Sequence, residues 1–473
     1  MNLTKNFLFY DYETFGICPA LDKIAQFSCV RTDLDFNIID VSSLIYCIPS
    51  IDYLPHPESV IITGITPQDI FKKNGLKECD FAKIVHDYFS ISNTCILGYN
   101  NIQFDDEVTR NLFYRNFFDP YEWSWKNNNS RWDIINVLRA CYVISPDGLF
   151  WYKDKFNYPI FKLSYFSKLN NIKHLDVHNA LSDVYATIEV AKLLKEKKNK
   201  LFNCLFYLRK KQNILNFIQY PELKLIIYIS SIFGAKRNNM SIIVPILWHP
   251  KNNNILIFFD LFYNVLNLLN ILNSVIITDI TFIQLYQSGL NFLYINKCPS
   301  LFSESIFNSK DYYRLSIDKN LIINNFHVIK KNIHFIKKKI FNYFSVKTFI
   351  SKSDNVDLQL YNNFFSSHDK KNMRLIRNCI PNKLANIKLS FHDCRMKELL
   401  FRYRARNYFF SLSNVEQLVW KKYCKTVLND HYLKDYKLLL KSLFKLYKYN
   451  PEKIFLLKKI YIYFLKIMNF IYK

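Results

Sequence analysis

Residues 6–16 read NFLFYDYETFG, and the four consecutive bulky residues Phe7, Leu8, Phe9 and Tyr10 constrain the fold more than any other stretch. A run without polar alternation suits a strand covered on both faces, the interior strand of a layered α/β sheet. Asp11 and Glu13 follow immediately. Positions i and i+2 of a strand point to one side, so the two carboxylates are expected together near the strand's C-terminal end. Like charges held that close repel each other and lose hydration, a cost that a divalent cation taking hard oxygen ligands offsets.

The segments IAQFSCVRTD and SSLIYCIPS are expected to be the next strands, and TPQDIFKK and CDFAKIVHDYF to be helices. TCILGYNN reads as another buried strand, and FDDEVTRNLFYRNF opens a helix. LSDVYATIEVAKLLKEKKNK reads as a long amphipathic helix with Val184, Ile188 and Ala191 toward the sheet and lysines at its negative C-terminal end. Strands followed by alternating helices and strands argue for an α/β sheet sandwiched by helices. A chain of 473 residues exceeds one core, so two or three domains are expected. The lysines around 195–200 mark a boundary. LKLIIYISSIFG, SIIVPILWHP and NNILIFFDLFY beyond it suggest a smaller β-rich domain, and the pattern from 351 onward is helical. In FHVIKKNIHFIKKKI, Phe326, Ile329, Ile333, Ile336 and Ile340 form one apolar helix face opposite lysines expected to be solvated.

A formal charge of +25 points to a polyanionic partner, nucleic acid before membrane. Part of the lysine excess belongs to a composition rich in Asn, Ile, Lys, Phe and Tyr and poor in Gly, as AT-biased codons produce. The 11 cysteines are scattered without a C-x-x-C pair, as expected of reduced thiols in the cytoplasm. The N-terminus lacks the pattern of a secretory signal. Ile460–Tyr472 is apolar but short and broken by Lys466, which favours a packed terminal helix over a membrane span.

Asp11 and Glu13 alone do not define a site, because D-x-E is common. GYNNIQFDDE adds Asp105 and Asp106 where a buried strand gives way to a helix, and HNALSDVYATI adds His178 and, five residues on, Asp183. Five helical residues advance about 500°, leaving His178 roughly 140° from the face of Asp183, so it is expected on the entering loop. Four separated carboxylates and a histidine around one sheet edge suit two-metal phosphodiester hydrolysis. In that chemistry cations about 4 Å apart clamp the attacking and leaving oxygens. A histidine titrating near neutrality takes the proton of the water.

D-x-E in the first strand, N-x(2)-F-D in the middle and H-x(4)-D in a late helix resemble the DEDDh exonuclease superfamily. Longer stretches, among them FLFYDYETFG, DYLPHPESVIITGITPQ, SRWDIINVLRACY, SDNVDLQLYNNFFS and LLFRYRARN, resemble the exodeoxyribonuclease I family over nearly the whole chain. The resemblance implies a ribonuclease H-like exonuclease domain over 1–198, with a mixed sheet flanked by helices. An SH3-like β-rich domain over 199–350 and an α-helical C-terminal domain over 351–473 would follow. It implies 3′-to-5′ hydrolysis of single-stranded DNA to 5′-mononucleotides, processive through a positively charged channel, in DNA repair, mismatch repair and recombination. Two Mg²⁺ ions are expected, with Mn²⁺ as the alternative, and a monomer.

By the same resemblance Asp11, Glu13 and Asp183 hold the metals, and Asp105 supports the second metal through water. Asp105 is preferred to Asp106 because it follows the N-x(2)-F element. His178 is the general base, preferred to His174 for its spacing to Asp183. Glu13, Lys162, Arg110, Tyr121, Trp125 and Arg139 match positions that contact the DNA strand, cations for phosphates and aromatic faces for bases. The alternative for Tyr121 and Trp125 is ordinary core packing at i and i+4. Arg402, Arg404 and Arg406 belong either to the channel or to an interdomain interface. Asn179 replaces a family Asp beside the histidine, and Lys236 replaces an aromatic. Ser145 replaces an arginine that helps bind the acidic C-terminal tail of single-stranded-DNA-binding protein, which leaves that partner contact open. A compact trimming nuclease would end near residue 200, and a non-catalytic strand-binding protein would have lost a carboxylate.

Overall fold

The computed structural model describes residues 4–42, 44–174, 179–273, 281–346 and 353–472, so His178 lies outside the described residues. The chain forms two compact units. The first comprises Met1–Asn129, Leu175–Tyr185 and Ser351–Lys473, and the second Ser130–His174 and Ala186–Ile350.

In the first unit Asn6–Thr14 (β1), Ile24–Thr32 (β2), Ile38–Val41 (β3), Ile45–Tyr46 (β4) and Thr94–Gly98 (β5) form a mixed sheet. Its order is β3–β2–β1–β5, with β4 also on β2. β1 is antiparallel to β2 and parallel to β5, and Phe7, Leu8, Phe9 and Tyr10 are all buried, as the apolar run predicts for an interior strand. Among the described residues of 42–50, expected as a strand, only Ile45–Tyr46 (β4) is one, whereas exposed β3 precedes it. Between them the Ser42 hydroxyl accepts the Cys29 N–H at 2.7 Å, a side-chain bond where regular pairing would use backbone. The helices Pro67–Lys72, Glu78–Phe89 and Asp105–Arg115 form where expected, and Pro57–Thr63 is an additional one.

Residues 353–472 are largely helical, and their last helices share a core with the N-terminal segment. Trp420, Leu440, Leu457, Ile460 and Phe464 pack in one cluster with Phe15, Leu54, Val60 and Ile70. Ile460–Tyr472 thus lies in a packed terminal helix, and among the described residues no helix is long and apolar enough to cross a membrane. Arg406 joins the 353–472 segment to Asp52 of the N-terminal part, whereas Arg402 and Arg404 pair within that segment. Arg406 joins Asp52 at 2.8 Å to Asp357 at 2.6 Å, Arg402 adds a second bond to Asp357 at 2.9 Å, and Arg404 pairs with Glu416 at 2.6 Å. The cations hold the buried Asp52 and Asp357 carboxyls below the usual carboxylate range.

The second unit begins with Ser130–Asp133 (β6) and contains an antiparallel sheet of five strands. These are Ile226–Ile229 (β7), Met240–Trp248 (β8), Ile255–Asp260 (β9), Leu290–Tyr294 (β10) and Ser300–Ser303 (β11), in the order β10–β9–β8–β7–β11. The three apolar runs expected as strands are β7, β8 and β9. Helices also occur here, including Asn199–Leu208, whose Phe202, Leu205 and Leu208 are buried at helical spacing. The helix Lys319–Val346 buries Ile322, Ile329, Ile336 and Ile340, while the expected partners Phe326 and Ile333 are half-buried.

Candidate active site

Asp11 and Glu13 lie past the end of the β1–β5 ladder, whose last pair is Phe9 with Leu97. Asp11 is half-buried and faces Ser28 in the register, and the buried Glu13 faces Gln26. β5 ends on Gly98 because the next turn lies against β1. A Cβ there would stand 2.8 Å from the Tyr10 carbonyl oxygen and 3.1 Å from the Asn101 Cβ. Asn101, fully buried, accepts the Gly98 N–H at 3.0 Å and donates its amide to Asp106 at 3.0 Å. The Tyr10 hydroxyl donates to the same Asp106 oxygen at 2.6 Å. Asp106 is therefore a structural pin, and Asp105 is fixed at the start of the helix Asp105–Arg115.

The fourth acid comes from the helix Ala180–Lys197. Its first N–H, from Ala180, donates 3.0 Å to the Gln26 side-chain oxygen. The Asn179 side chain accepts the Leu181 and Ser182 N–H groups at 3.2 and 3.4 Å. Asparagine caps a helix about as well as aspartate, which explains how the departure at 179 is accommodated. One carboxylate oxygen each from Asp11, Glu13 and Asp183 lies within 4.8 Å of the others, the only such group of His, Cys, Asp or Glu among the described residues.

Burial, reinforced by the charges of Asp105, Glu13 and Asp183, drives the Asp11 carboxyl well above its ordinary range. Burial and then Asp183 and Asp105 push Glu13 up to about 8. Asp105 thus acts electrostatically on both strand acids. Three oxygen donors without sulfur or imidazole fit a hard divalent cation, which would remove the repulsion that raises these values.

The other expected residues are placed unequally. Arg110 is 7% exposed, pairs with Glu107 at 2.5 Å and donates to the Tyr361 hydroxyl at 3.3 Å, with its guanidinium 5.9 Å from the centre of the Tyr121 ring. Tyr121 is half-buried against Phe364, ring centres 5.2 Å apart. Trp125 is 61% exposed between two short 3₁₀ turns, so no helical i, i+4 core pair forms. In the second unit Lys162 is exposed ahead of the helix Leu163–Leu169, and Arg139 is buried and donates to Asn136 at 3.1 Å. Ser145 accepts a hydrogen bond from Lys198 at 2.9 Å. Sequence reasoning missed Gln26, and it met Asn101 only as the first residue of the N-x(2)-F element, without its hold on Asp106. Gln26 had a visible signal, a long amide inside the apolar run IAQFSCV.

Three family models match in succession: an exonuclease model over residues 8–191, the exonuclease I SH3-like domain over 209–346 and the exonuclease I C-terminal domain over 354–467. Exodeoxyribonuclease I of Buchnera aphidicola subsp. Schizaphis graminum is 48% identical over 461 residues, covering 98% of this chain and 95% of that protein. The crystal structure of Escherichia coli exonuclease I in complex with a dA16 oligonucleotide superposes with a TM-score of 0.91 at 40% identity, covering 98% of this chain and 100% of that one. A complex of exonuclease I with the SSB C-terminal segment matches at a TM-score of 0.90 and 40% identity, over 98% of this chain and 99% of that one. Similarity of this extent, end to end and domain by domain, means that the chain belongs to the exodeoxyribonuclease I family.

Proposed function

We propose that this chain is a metal-dependent 3′-to-5′ exonuclease of single-stranded DNA that releases 5′-mononucleotides. The observation that carries the reading is the convergence of Asp11, Glu13 and Asp183, with oxygens within 4.8 Å, at a sheet edge where their mutual repulsion serves no structural purpose. Asp11, Glu13 and Asp183 would hold the cations and Asp105 would support the second. An all-oxygen donor set favours Mg²⁺, with Mn²⁺ the closest substitute. Bound there, divalent ions supply Lewis-acid activation of water and stabilisation of the leaving oxygen.

The chain's own groups do the rest. His178 takes the proton of the attacking water. Lys162, exposed and cationic, meets a phosphate, and Trp125 offers an open aromatic face to an unpaired base. Arg110 and Tyr121 contribute from a paired, part-buried cluster, and Arg139 from a buried helix position. Glu13 also faces the terminal nucleotide.

The boundaries of three domains are proposed near residues 198 and 350, and the protein is proposed to act as a cytoplasmic monomer in DNA repair, mismatch repair and recombination. Contact with the acidic tail of single-stranded-DNA-binding protein is supported by Lys198, which returns a cation to the position of Ser145.

The test is digestion of 3′- and 5′-labelled single-stranded DNA with Mg²⁺, beside Asp183→Ala and a matching RNA. Mononucleotides released from the 3′ end of the DNA, and lost in the variant, are the expected result. Binding without release by the wild-type chain would refute the catalytic reading.

A further inference from the structure

We infer that Gln26 is a positioning residue that sets the separation between the strand acids and Asp183, an inference resting on the nuclease reading above. Gln26 is buried, only 2% exposed, and lies directly across the β1–β2 ladder from Glu13. Both ends of its amide are used. The oxygen accepts the Ala180 N–H at 3.0 Å, and the nitrogen donates 3.1 Å to the Tyr46 hydroxyl on the next strand over. A backbone N–H can only donate, so the Ala180 contact fixes which way the amide faces. Lys73 donates to the same Tyr46 hydroxyl at 2.8 Å and caps its ring at 4.5 Å, which holds the phenol in place.

The consequence is geometric. The first N–H groups of a helix have no partner within it, and what satisfies them decides where the helix starts and how it is aimed. At this helix one of those partners is a core side chain opposite a metal-site acid, and Asp183 sits three residues inside the start. The carboxylates of Asp11, Glu13 and Asp183 repel one another, so the metal-free site tends to spread. The Gln26–Ala180 hydrogen bond resists that spreading by tying the helix to the strand beside Glu13. The acids are then already close when a cation arrives, and groups of this kind behind metal ligands typically change metal affinity 10–100-fold.

The test is a Mn²⁺ titration of the full chain, followed by the loss of free-ion signal in electron paramagnetic resonance, with Mg²⁺ dependence of hydrolysis alongside. Gln26→Met keeps the length and removes the acceptor. It is expected to weaken Mn²⁺ binding at least tenfold and raise the half-saturating Mg²⁺ to match, with rate at saturating metal changed less than threefold. Gln26→Glu keeps an oxygen for the Ala180 N–H and is expected to hold Mn²⁺ within threefold of wild type, a rescue that loss of core packing would not show. Should Gln26→Met not fold, Gln26→Asn, one methylene too short to reach, carries the same expectation. Folded Gln26→Met or Gln26→Asn binding Mn²⁺ as wild type does would overturn the inference alone. Absence of Mn²⁺ binding by the wild-type chain would instead overturn the nuclease reading.

Discussion

Asp183→Asn is expected to stabilise the metal-free protein while abolishing hydrolysis, two effects of opposite sign from one atom change. Glu13 rises from 4.5 to about 8, with burial as the larger cause and the charges of Asp183 and Asp105 next. At 1.36 kcal/mol per tenfold change in proton affinity, the whole displacement is worth about 5 kcal/mol. Two charges no farther apart than the 4.8 Å limit of the cluster repel by at least about 3 kcal/mol at an effective dielectric constant of 20, and the substitution returns only part of this because burial remains. A gain of about 1–3 kcal/mol is expected.

The pH dependence has a definite direction. A carboxyl whose folded pKa is raised contributes stability that is complete below its unfolded value and is lost as pH rises through the folded one. For Glu13 that window runs from 4.5 to about 8. In EDTA the wild-type melting temperature should therefore fall across it, and Asp183→Asn should fall less. The assay is thermal unfolding in EDTA at both ends of the window, repeated with Mg²⁺, which should selectively stabilise the wild type at the upper end. Asp183→Asn melting below wild type in EDTA at the upper end, or a difference that does not vary with pH, would refute the electrostatic account.

Three other expectations follow from the same contacts. Tyr10→Phe removes a hydroxyl donor to the Asp106 oxygen and should cost about 1–3 kcal/mol in denaturant unfolding, with little change in DNA binding. Arg406→Met leaves the buried Asp52 without its arginine and weakens the hold on Asp357, and should destabilise the chain by about 3–5 kcal/mol in the same assay. Trp125→Ala should weaken binding to single-stranded DNA by about 1–3 kcal/mol without altering the slope of affinity against salt, since a stacking face and not a charge is removed.

The interior strand and its acids were legible because an uninterrupted apolar run admits few other placements and side-chain alternation is strict. Asp105 could be favoured over Asp106 from motif resemblance alone. The physical distinction is that Asp106 is fully buried under Tyr10 and Asn101, a tertiary contact spanning 96 residues that local pattern does not reveal. The helix Pro57–Thr63 was passed over although Pro57 at its first turn and Gly64, left-handed at φ 70, are standard start and stop signals. Gln26 stood out as a polar residue in an apolar strand, but its partner, a backbone N–H 154 residues away, has no side-chain signature. Of the helices within 199–350, Lys319–Val346 was legible from its apolar face, whereas others such as Asn199–Leu208 were obscured because asparagine and lysine on their exposed faces read as loop chemistry.

The packing of the last helices against the helices Pro57–Thr63 and Pro67–Lys72 and the loops before them has a consequence for the order in which a newly made chain becomes competent. Gln68 donates to the Lys459 carbonyl across 391 positions, and Tyr436 to the Pro55 carbonyl across 381. At about 5–20 residues per second, a ribosome needs roughly 20–80 s to deliver the second partner of such a pair after the first. Throughout that interval Phe15, Leu54, Val60 and Ile70 await the side chains that complete their cluster. Maturation of the first unit is in this sense timed by the synthesis of Trp420, Leu440, Leu457, Ile460 and Phe464, which decide when the residues around Phe15 and Leu54 can settle.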